Sequence, residues 1–266
     1  MEEFSFIDAH AHLASWPSLR KCGNFIIESN KSHNIGFSLI SNADAAEFPS
    51  VKTRCKMGKS TLDCLKQAVN FAKKHEGHIG TGVWLRPFFE LPNEELINYI
   101  KENRKYINCL KFHPYCEKLK ITSRKLIPWI RLARELDLPI LVHTAYDEFS
   151  SILELEKVAK ENKDINFIAA HLELCSDNEV AIEVMKRVSN IYADTAWVNI
   201  DKTIRVLNEI GEDRIMFGSD NPIDGLNTLD NPMYLSYFNN DANIEYSTYK
   251  KLMRDNAIKV YKLDLK

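Results

Sequence analysis

The sequence predicts an α/β fold, a single (β/α)8 barrel of the TIM type, and three observations carry that expectation. Short runs rich in isoleucine, valine, leucine and phenylalanine alternate with longer amphipathic stretches along all 266 residues, as buried parallel strands alternate with covering helices. Eight such runs occur, and from His12 at the end of the first to Asp220 at the end of the eighth the mean step is about 30 residues, the length of one β-α-β unit. No glycine-rich phosphate loop follows the first run, and no Pro/Gly/Ser linker or internal repeat divides the chain. A closed barrel forming one domain over residues 1–266 is favoured over a doubly wound sheet.

The strands are expected at Phe4 to His12, Ile35 to Ser41, His78 to Leu85, Ile107 to His113, Pro139 to His143, Asn166 to His171, Asn190 to Thr195 and Arg214 to Ser219. Between them, Thr61 to His75 places Leu62, Leu65, Val69 and Ala72 at helical spacing, with Ser60 or Thr61 as the cap. Asn93 to Arg104 carries Leu96, Ile97, Tyr99 and Ile100 behind Asn93 and Glu95, where capping and acidic residues belong. Ser123 to Leu136, Ser150 to Asn162, Asp177 to Val188 and Val198 to Ile210 read as helices, and Ser247 to Leu263 closes the chain. Two segments break the rhythm, Asn42 to Lys59 after the second strand and Asn221 to Glu245 after the eighth. Both should emerge at the C-terminal face, where such barrels keep their active sites, and the first is expected to border the site.

Composition narrows the function classes. Thirty-five basic against 37 acidic residues give a formal charge of −2, so nothing general draws the chain to nucleic acid or an anionic membrane. The start, MEEFSFIDAHAH, lacks the basic and apolar regions of a signal peptide, and no run approaches the ~18 apolar residues of a membrane span. The six cysteines form no C-x-x-C pair, so reduced thiols in a cytoplasmic protein are expected. The oligomeric state is open, and a homodimer is compatible with these numbers.

Five of the eight histidines fall at the C-terminal ends of expected strands: His10, His12, His113, His143 and His171. The H-x-H pair alone is weak, since chance supplies roughly a quarter of such a pair here, but residues two apart on a strand share a face. Asp8, His10 and His12 should then point one way, with two imidazoles able to grip a metal and Asp8 able to orient one of them. His143 ends LPILVH and His171 ends NFIAAH; a polar ring after a buried apolar run needs a partner. Asp220 closes RIMFGSD, and a buried carboxylate wants a cation; an Asx turn or helix cap before Pro222 is the lesser alternative. His33, His75 and His78 are given structural or surface roles.

These motifs resemble the amidohydrolase superfamily in its "amidohydrolase 2" branch, which also contains decarboxylases and lactonases. The matching stretches are IDAHAH, LKFHP, VHT, AAHLE and RIMFGSDNP, with DNAIKVYKL similar to the family's closing helix. The resemblance implies one divalent metal, zinc or else manganese, iron or nickel, held by His10, His12, His143 and Asp220. It implies Asp220 as a ligand or the general base, and His171 as the group that polarises the substrate carbonyl. Lys111 sits where some branches carry a carboxylated lysine. An unmodified Lys111 and a single metal are expected, and Lys111, His113 and Arg86 are expected to bind substrate, with Tyr115 and Trp197 nearby. A small-molecule substrate, anionic if Lys111 and Arg86 face it, would be hydrolysed as an amide, lactone or ester by metal-activated water. Non-oxidative decarboxylation of a carboxylated aromatic or enoic substrate is the alternative. Phosphoester hydrolysis, for which VKTRCKMGK offers Lys52, Arg54, Lys56 and Lys59, ranks third.

Overall fold

The computed structural model describes residues 4–46, 59–223, 225 and 227–265. Its strands are β1 (Phe6–Leu13), β2 (Ile35–Asn42), β3 (Ile79–Trp84), β4 (Ile107–Phe112), β5 (Ile140–Ala145), β6 (Phe167–Leu174), β7 (Ile191–Asp194) and β8 (Ile215–Met216). They lie side by side in chain order, and every pairing is parallel. The chain beyond β8 closes the sheet on β1. Ala9 N–H donates to Phe217 O (2.9 Å), Asp220 N–H to His10 O (2.7 Å) and His12 N–H to Asn221 O (2.7 Å). This is a (β/α)8 barrel.

The helices are α1 (Leu19–Ser32), α2 (Thr61–Lys74), α3 (Glu94–Glu102), α4 (Pro114–Glu117), α5 (Ile127–Glu135), α6 (Ile152–Glu161), α7 (Glu179–Arg187), α8 (Ile200–Glu209), α9 (Pro232–Phe238), α10 (Tyr246–Lys250) and α11 (Asn256–Tyr261). Ser60 caps α2 by accepting from Asp63 N–H, and Asn93 caps α3 by accepting from Leu96 N–H. No helix is expected between the first two strands from apolar spacing, yet α1 lies there. Its buried face mixes Cys22 and Ile26 with Ser29 and Asn30, which dilutes the periodicity. Asn30 is accommodated because its Nδ2 donates to Ser38 Oγ on β2 (2.8 Å). Likewise α9 lies inside the segment read as a long connection after the eighth strand.

The closing helix is interrupted. Between α10 and α11, Lys251–Asp255 forms a wider π turn, and Leu252 O accepts from Phe217 N–H just beyond β8 (2.8 Å). The wide turn thus turns a carbonyl from the helix to the barrel seam. Helices cover the barrel outside, and α11 adds Ala257, Val260 and Tyr261 to an apolar cluster with Ile7, Ala9, Phe37, Leu39, Cys109, Leu141, Ile168, Ala170 and Met216.

One irregularity reorients the first strand. The pairing of β1 with β2 shifts by one residue between Asp8 and Ala11, a β-bulge. Ile7 and Ala9 pack with Phe37 and Leu39, while Ala11 and Leu13 pack against Cys22 and Ile26 of α1. Asp8 therefore leaves the face that His10 and His12 share, contrary to strict alternation. No helix among the described residues is long and apolar enough to cross a membrane, and Cys22, Cys64, Cys109, Cys116 and Cys175 are free thiols.

Outside the barrel, Glu156 on α6 accepts from Arg187 Nε and Nη2 on α7 (2.6 and 2.7 Å) and pairs with Lys160 (2.6 Å). The Arg187 hydrogen bond outweighs partial burial and lowers the Glu156 carboxyl to about 2. A depressed carboxyl stabilises the fold above its ordinary range and loses that contribution as pH falls toward 2. Wild-type stability to urea should therefore decline more steeply than that of Glu156→Gln as pH falls from 4.5 to about 2. Parallel declines would show that this pair contributes nothing.

Candidate metal centre

The C-terminal ends of the strands gather a polar cluster out of an apolar barrel. β1 supplies His10 and His12, β3 Trp84, β4 Lys111 with His113 just beyond, β5 His143, β6 His171 and β7 Asp194. Trp197 and Asp220 follow β7 and β8. One donor atom from each of His10, His171 and Asp220 lies within 4.8 Å of the other two. His12 meets this group through Asp220, its Nε2 lying 2.8 Å from Oδ1. His143 stands beside it, its ring 4.7 Å from that of His171 and stacked on His113 at 3.8 Å.

Hydrogen-bond partners indicate which nitrogen carries the proton in four of the rings. His10 Nδ1 lies 2.9 Å from Asp194 Oδ2; a carboxylate only accepts, so Nδ1 is protonated and Nε2 keeps its lone pair. His171 Nδ1 donates to Ala196 O (3.1 Å), again leaving Nε2 unprotonated. In His12 the order is reversed: Nε2 donates to Asp220, and Nδ1 is buried with no partner. His113 Nδ1 accepts from Cys116 N–H (3.4 Å), so its proton is on Nε2. Burial, then the charge of Lys111, lowers His10, and burial lowers His171 to about 4, so both stay neutral. Burial also holds His113 and His143 well below the usual imidazole range.

The donor set fits a divalent cation. Both lone-pair imidazoles have their second nitrogen satisfied, as ligating histidines do. His10 Nε2 and Asp220 Oδ1 are two acceptors only 3.3 Å apart, which is unfavourable without positive charge beside them. Lys111, 1% exposed, reaches up to place Nζ 2.9 Å from His10 Nε2; burial lowers its pKa, while the Asp220 and Asp194 carboxylates favour its charged form. Burial pushes the Asp220 carboxyl up, but hydrogen bonding from His12 and the surrounding imidazoles hold it well below its ordinary value. Trp197 Nε1–H donates to Asp220 Oδ2 (3.0 Å).

Asp194 is the site residue that motif reading passes over, although YAD ends its strand much as GSD ends the next. It is fully buried, and Oδ1 accepts from His171 N–H (2.9 Å) and Ala196 N–H (3.1 Å) while Oδ2 takes His10. The orienting part expected of Asp8 falls to Asp194. Asp8 instead accepts from His10 N–H, Ser219 N–H and Ser219 Oγ–H. Gly218 permits the close approach, because a Cβ there would lie 3.0 Å from His10 Cβ and 3.1 Å from Asp194 Cβ. Burial raises Asp8 to about 7 despite its three donors.

Six rings close a circuit around the mouth. Centroids are 5.1 Å apart for His10–His12, 5.8 Å for His12–Trp84, 5.7 Å for Trp84–His113, 3.8 Å for His113–His143, 4.7 Å for His143–His171 and 5.1 Å for His171–His10. Arg86 is not part of it. Buried to 1% exposure, its Nη1 donates to Lys59 O and to Glu90 Oε1 (2.6 and 2.7 Å), so its charge is engaged away from the rings. Tyr115 is exposed on α4. Of the basic loop, Lys52, Arg54 and Lys56 lie outside the described residues, as does most of the connection expected to border the site, while Lys59 pairs with Asp44.

A closed parallel barrel with imidazoles and a carboxylate converging at its strand ends is the architecture of metal-dependent hydrolases and decarboxylases. The chain belongs to the Amidohydrolase family, whose model matches residues 7–263. Among solved structures it resembles 5-carboxyvanillate decarboxylase from Novosphingobium aromaticivorans, complexed with manganese and 4-hydroxy-3-methoxy-5-nitrobenzoic acid (TM-score 0.67, 12% identity, 98% of this chain and 96% of that one). A Pseudomonas putida protein described as a 2-pyrone-4,6-dicarboxylic acid hydrolase matches at TM-score 0.67 and 10% identity, covering 100% of both chains. The 2,6-dihydroxybenzoate decarboxylase bound to 2,6-dihydroxybenzoate matches at 0.68 and 15%, covering 99% and 100%. No curated protein matches the sequence.

Trp197→Phe tests the electrostatics of Asp220. Removing a donor from the ionised carboxylate should raise its pKa, so metal loss on acidification should set in at higher pH than in wild type. Metal content across a pH series reads this directly; an unchanged midpoint would show that the indole bond is without effect.

Proposed function

We propose that the protein is a hydrolase of small, anionic amides, lactones or esters that works with a single divalent metal held by His10, His171 and Asp220. What supports this most is the pair of unprotonated Nε2 atoms beside an ionised carboxylate. The ligand set differs from the one drawn by resemblance. His12 has its Nε2 proton on Asp220, and neither nitrogen of His143 has a partner among the described residues to fix it as a ligand. Two nitrogens and an oxygen suit zinc, and equally manganese, iron or nickel.

Such an ion supplies Lewis acidity, which polarises a carbonyl and acidifies water. Asp220, kept ionised by His12 and Trp197, is the group placed to accept a proton from the attacking water and return it to the leaving group. Donation to the substrate oxygen passes from His171, whose Nε2 has no proton, to the Nε2–H of His113. Lys111 remains an ammonium that donates to His10; released from that nitrogen, it holds an anionic substrate group. Arg86 acts at most indirectly, by supporting the segment around Lys59 and Glu90. The free thiols among the described residues support a cytoplasmic setting.

Decarboxylation is the second reading, favoured by the ring circuit and Lys111, which suit a flat aromatic acid such as those bound by the structural neighbours. Alkali uptake against a lactone, ester and amide panel, run beside carbon dioxide release from hydroxybenzoates, separates the two. Carbon dioxide release alone would replace hydrolysis by the lyase reading. For the ligands, His10→Ala and His171→Ala should weaken metal binding about 100-fold, with His143→Ala within about threefold of wild type. A comparable loss in His143→Ala would restore the set drawn by resemblance. Two metals per chain with an added carboxylate mass on Lys111 would overturn the single-metal reading.

A further inference from the structure

We infer that Asp194 is the positioning residue that sets the protonation of His10, and that exchanging its carboxylate for an amide reverses it and closes His10 Nε2 to metal. The inference rests on the metal reading above but is carried by the geometry at β7. Asp194 Oδ1 is committed to two backbone donors, His171 N–H at 2.9 Å and Ala196 N–H at 3.1 Å. Only Oδ2 faces His10 Nδ1, at 2.9 Å. Lys111 is compatible with this: its Nζ lies 2.9 Å from His10 Nε2, so a Lys111 N–H can donate to the lone pair that an Nδ1 proton leaves there. The competing acceptor on the ring's other side, Asp220 Oδ1, is more distant from Nε2 (3.3 Å) than Asp194 Oδ2 is from Nδ1.

In Asp194→Asn the amide has one stable orientation. Its oxygen must stay on the two backbone N–H groups, because turning the NH2 toward them would oppose donors to donors. The NH2 then points at His10 Nδ1, which must accept, and the imidazole proton moves to Nε2. Nε2–H cannot ligate a metal and opposes the Lys111 ammonium. His171 is spared, since its Nδ1 proton is held by Ala196 O (3.1 Å) and not by Asp194. One carboxylate thus serves two strands, but it sets the tautomer of only one ring.

The test uses the full chain, metal-free, with 15N-labelled histidine and long-range proton–nitrogen spectra that distinguish the two protonation states. Wild type should show His10 and His171 both protonated at Nδ1. In Asp194→Asn, His10 should switch to Nε2–H while His171 stays as it was, and manganese affinity, read by electron paramagnetic resonance of free ion, should fall about 10–100-fold. A His10 that keeps Nδ1–H in the variant overturns the inference. So does wild-type His10 carrying its proton on Nε2, a result that decides the matter even if the variant does not fold. The expected switch between wild type and Asp194→Asn, together with a wild type that binds neither manganese nor zinc, would strike the metal reading and leave the Asp194 assignment standing.

Discussion

Three carboxylates buried at the mouth of an apolar barrel, Asp8, Asp194 and Asp220, impose the constraint that organises this structure. A carboxylate out of water is costly unless donors surround it, and here each finds donors beyond its own strand. Asp8 ties β1 to Ser219, Asp194 ties β7 to His10 and His171, and Asp220 ties the end of β8 to His12 and Trp197. These bonds fall where the backbone ladder is thinnest, since β7 has four residues and β8 only two. The polar seam that prepares the site also completes the barrel's closure.

Satisfying those carboxylates also sorts the histidines by role. A ring whose Nδ1 proton is taken inward turns a lone pair toward the mouth, as in His10 and His171. A ring whose Nδ1 accepts, as in His113, turns a proton there instead. Sequence position cannot make this distinction, because it depends on a partner contributed by another strand. Lowered basicity in the buried rings keeps the assignments from being scrambled by protonation near neutrality.

Much of the fold was legible in the sequence because buried parallel strands are short apolar runs at even spacing, and a polar residue ending such a run stands out. His12 and His143, near the ends of β1 and β5, were readable for that reason; Asp220 was picked out too, although the eighth strand, expected to run to Ser219, ends at Met216. The cluster's inner logic was not. Asp194 sits behind a tyrosine and an alanine in an unremarkable strand, and its importance lies in partners 23 and 184 residues away. α1 escaped because Ser29 and Asn30 occupy its buried face. Arg86 looked available because composition shows a charge and not the glutamate that takes it.

The deeper reason concerns strand geometry. On β3, β4 and β5 the residues at the mouth, Trp84, Lys111, His113 and His143, follow simple alternation, and those strands form the wall of rings. His10 lies within the β1 bulge, between Asp8 and Ala11. His171 begins three successive residues in the left-handed region, with φ of 68°, 47° and 69°, and Asp220 has φ of 64°. Each such residue costs about 1–3 kcal/mol and persists only where its surroundings enforce it. Here Thr144 Oγ1 accepts from Glu173 N–H, Asn178 Nδ2 donates to Leu172 O, and Asp194 holds His171 N–H. All three members of the proposed ligand set therefore stand at irregularities, where a period-two reading of the sequence loses its hold. Regular strands give a barrel its wall; aiming two nitrogens and an oxygen at one point requires departures from the pleat, and the strain sits where the chemistry would be.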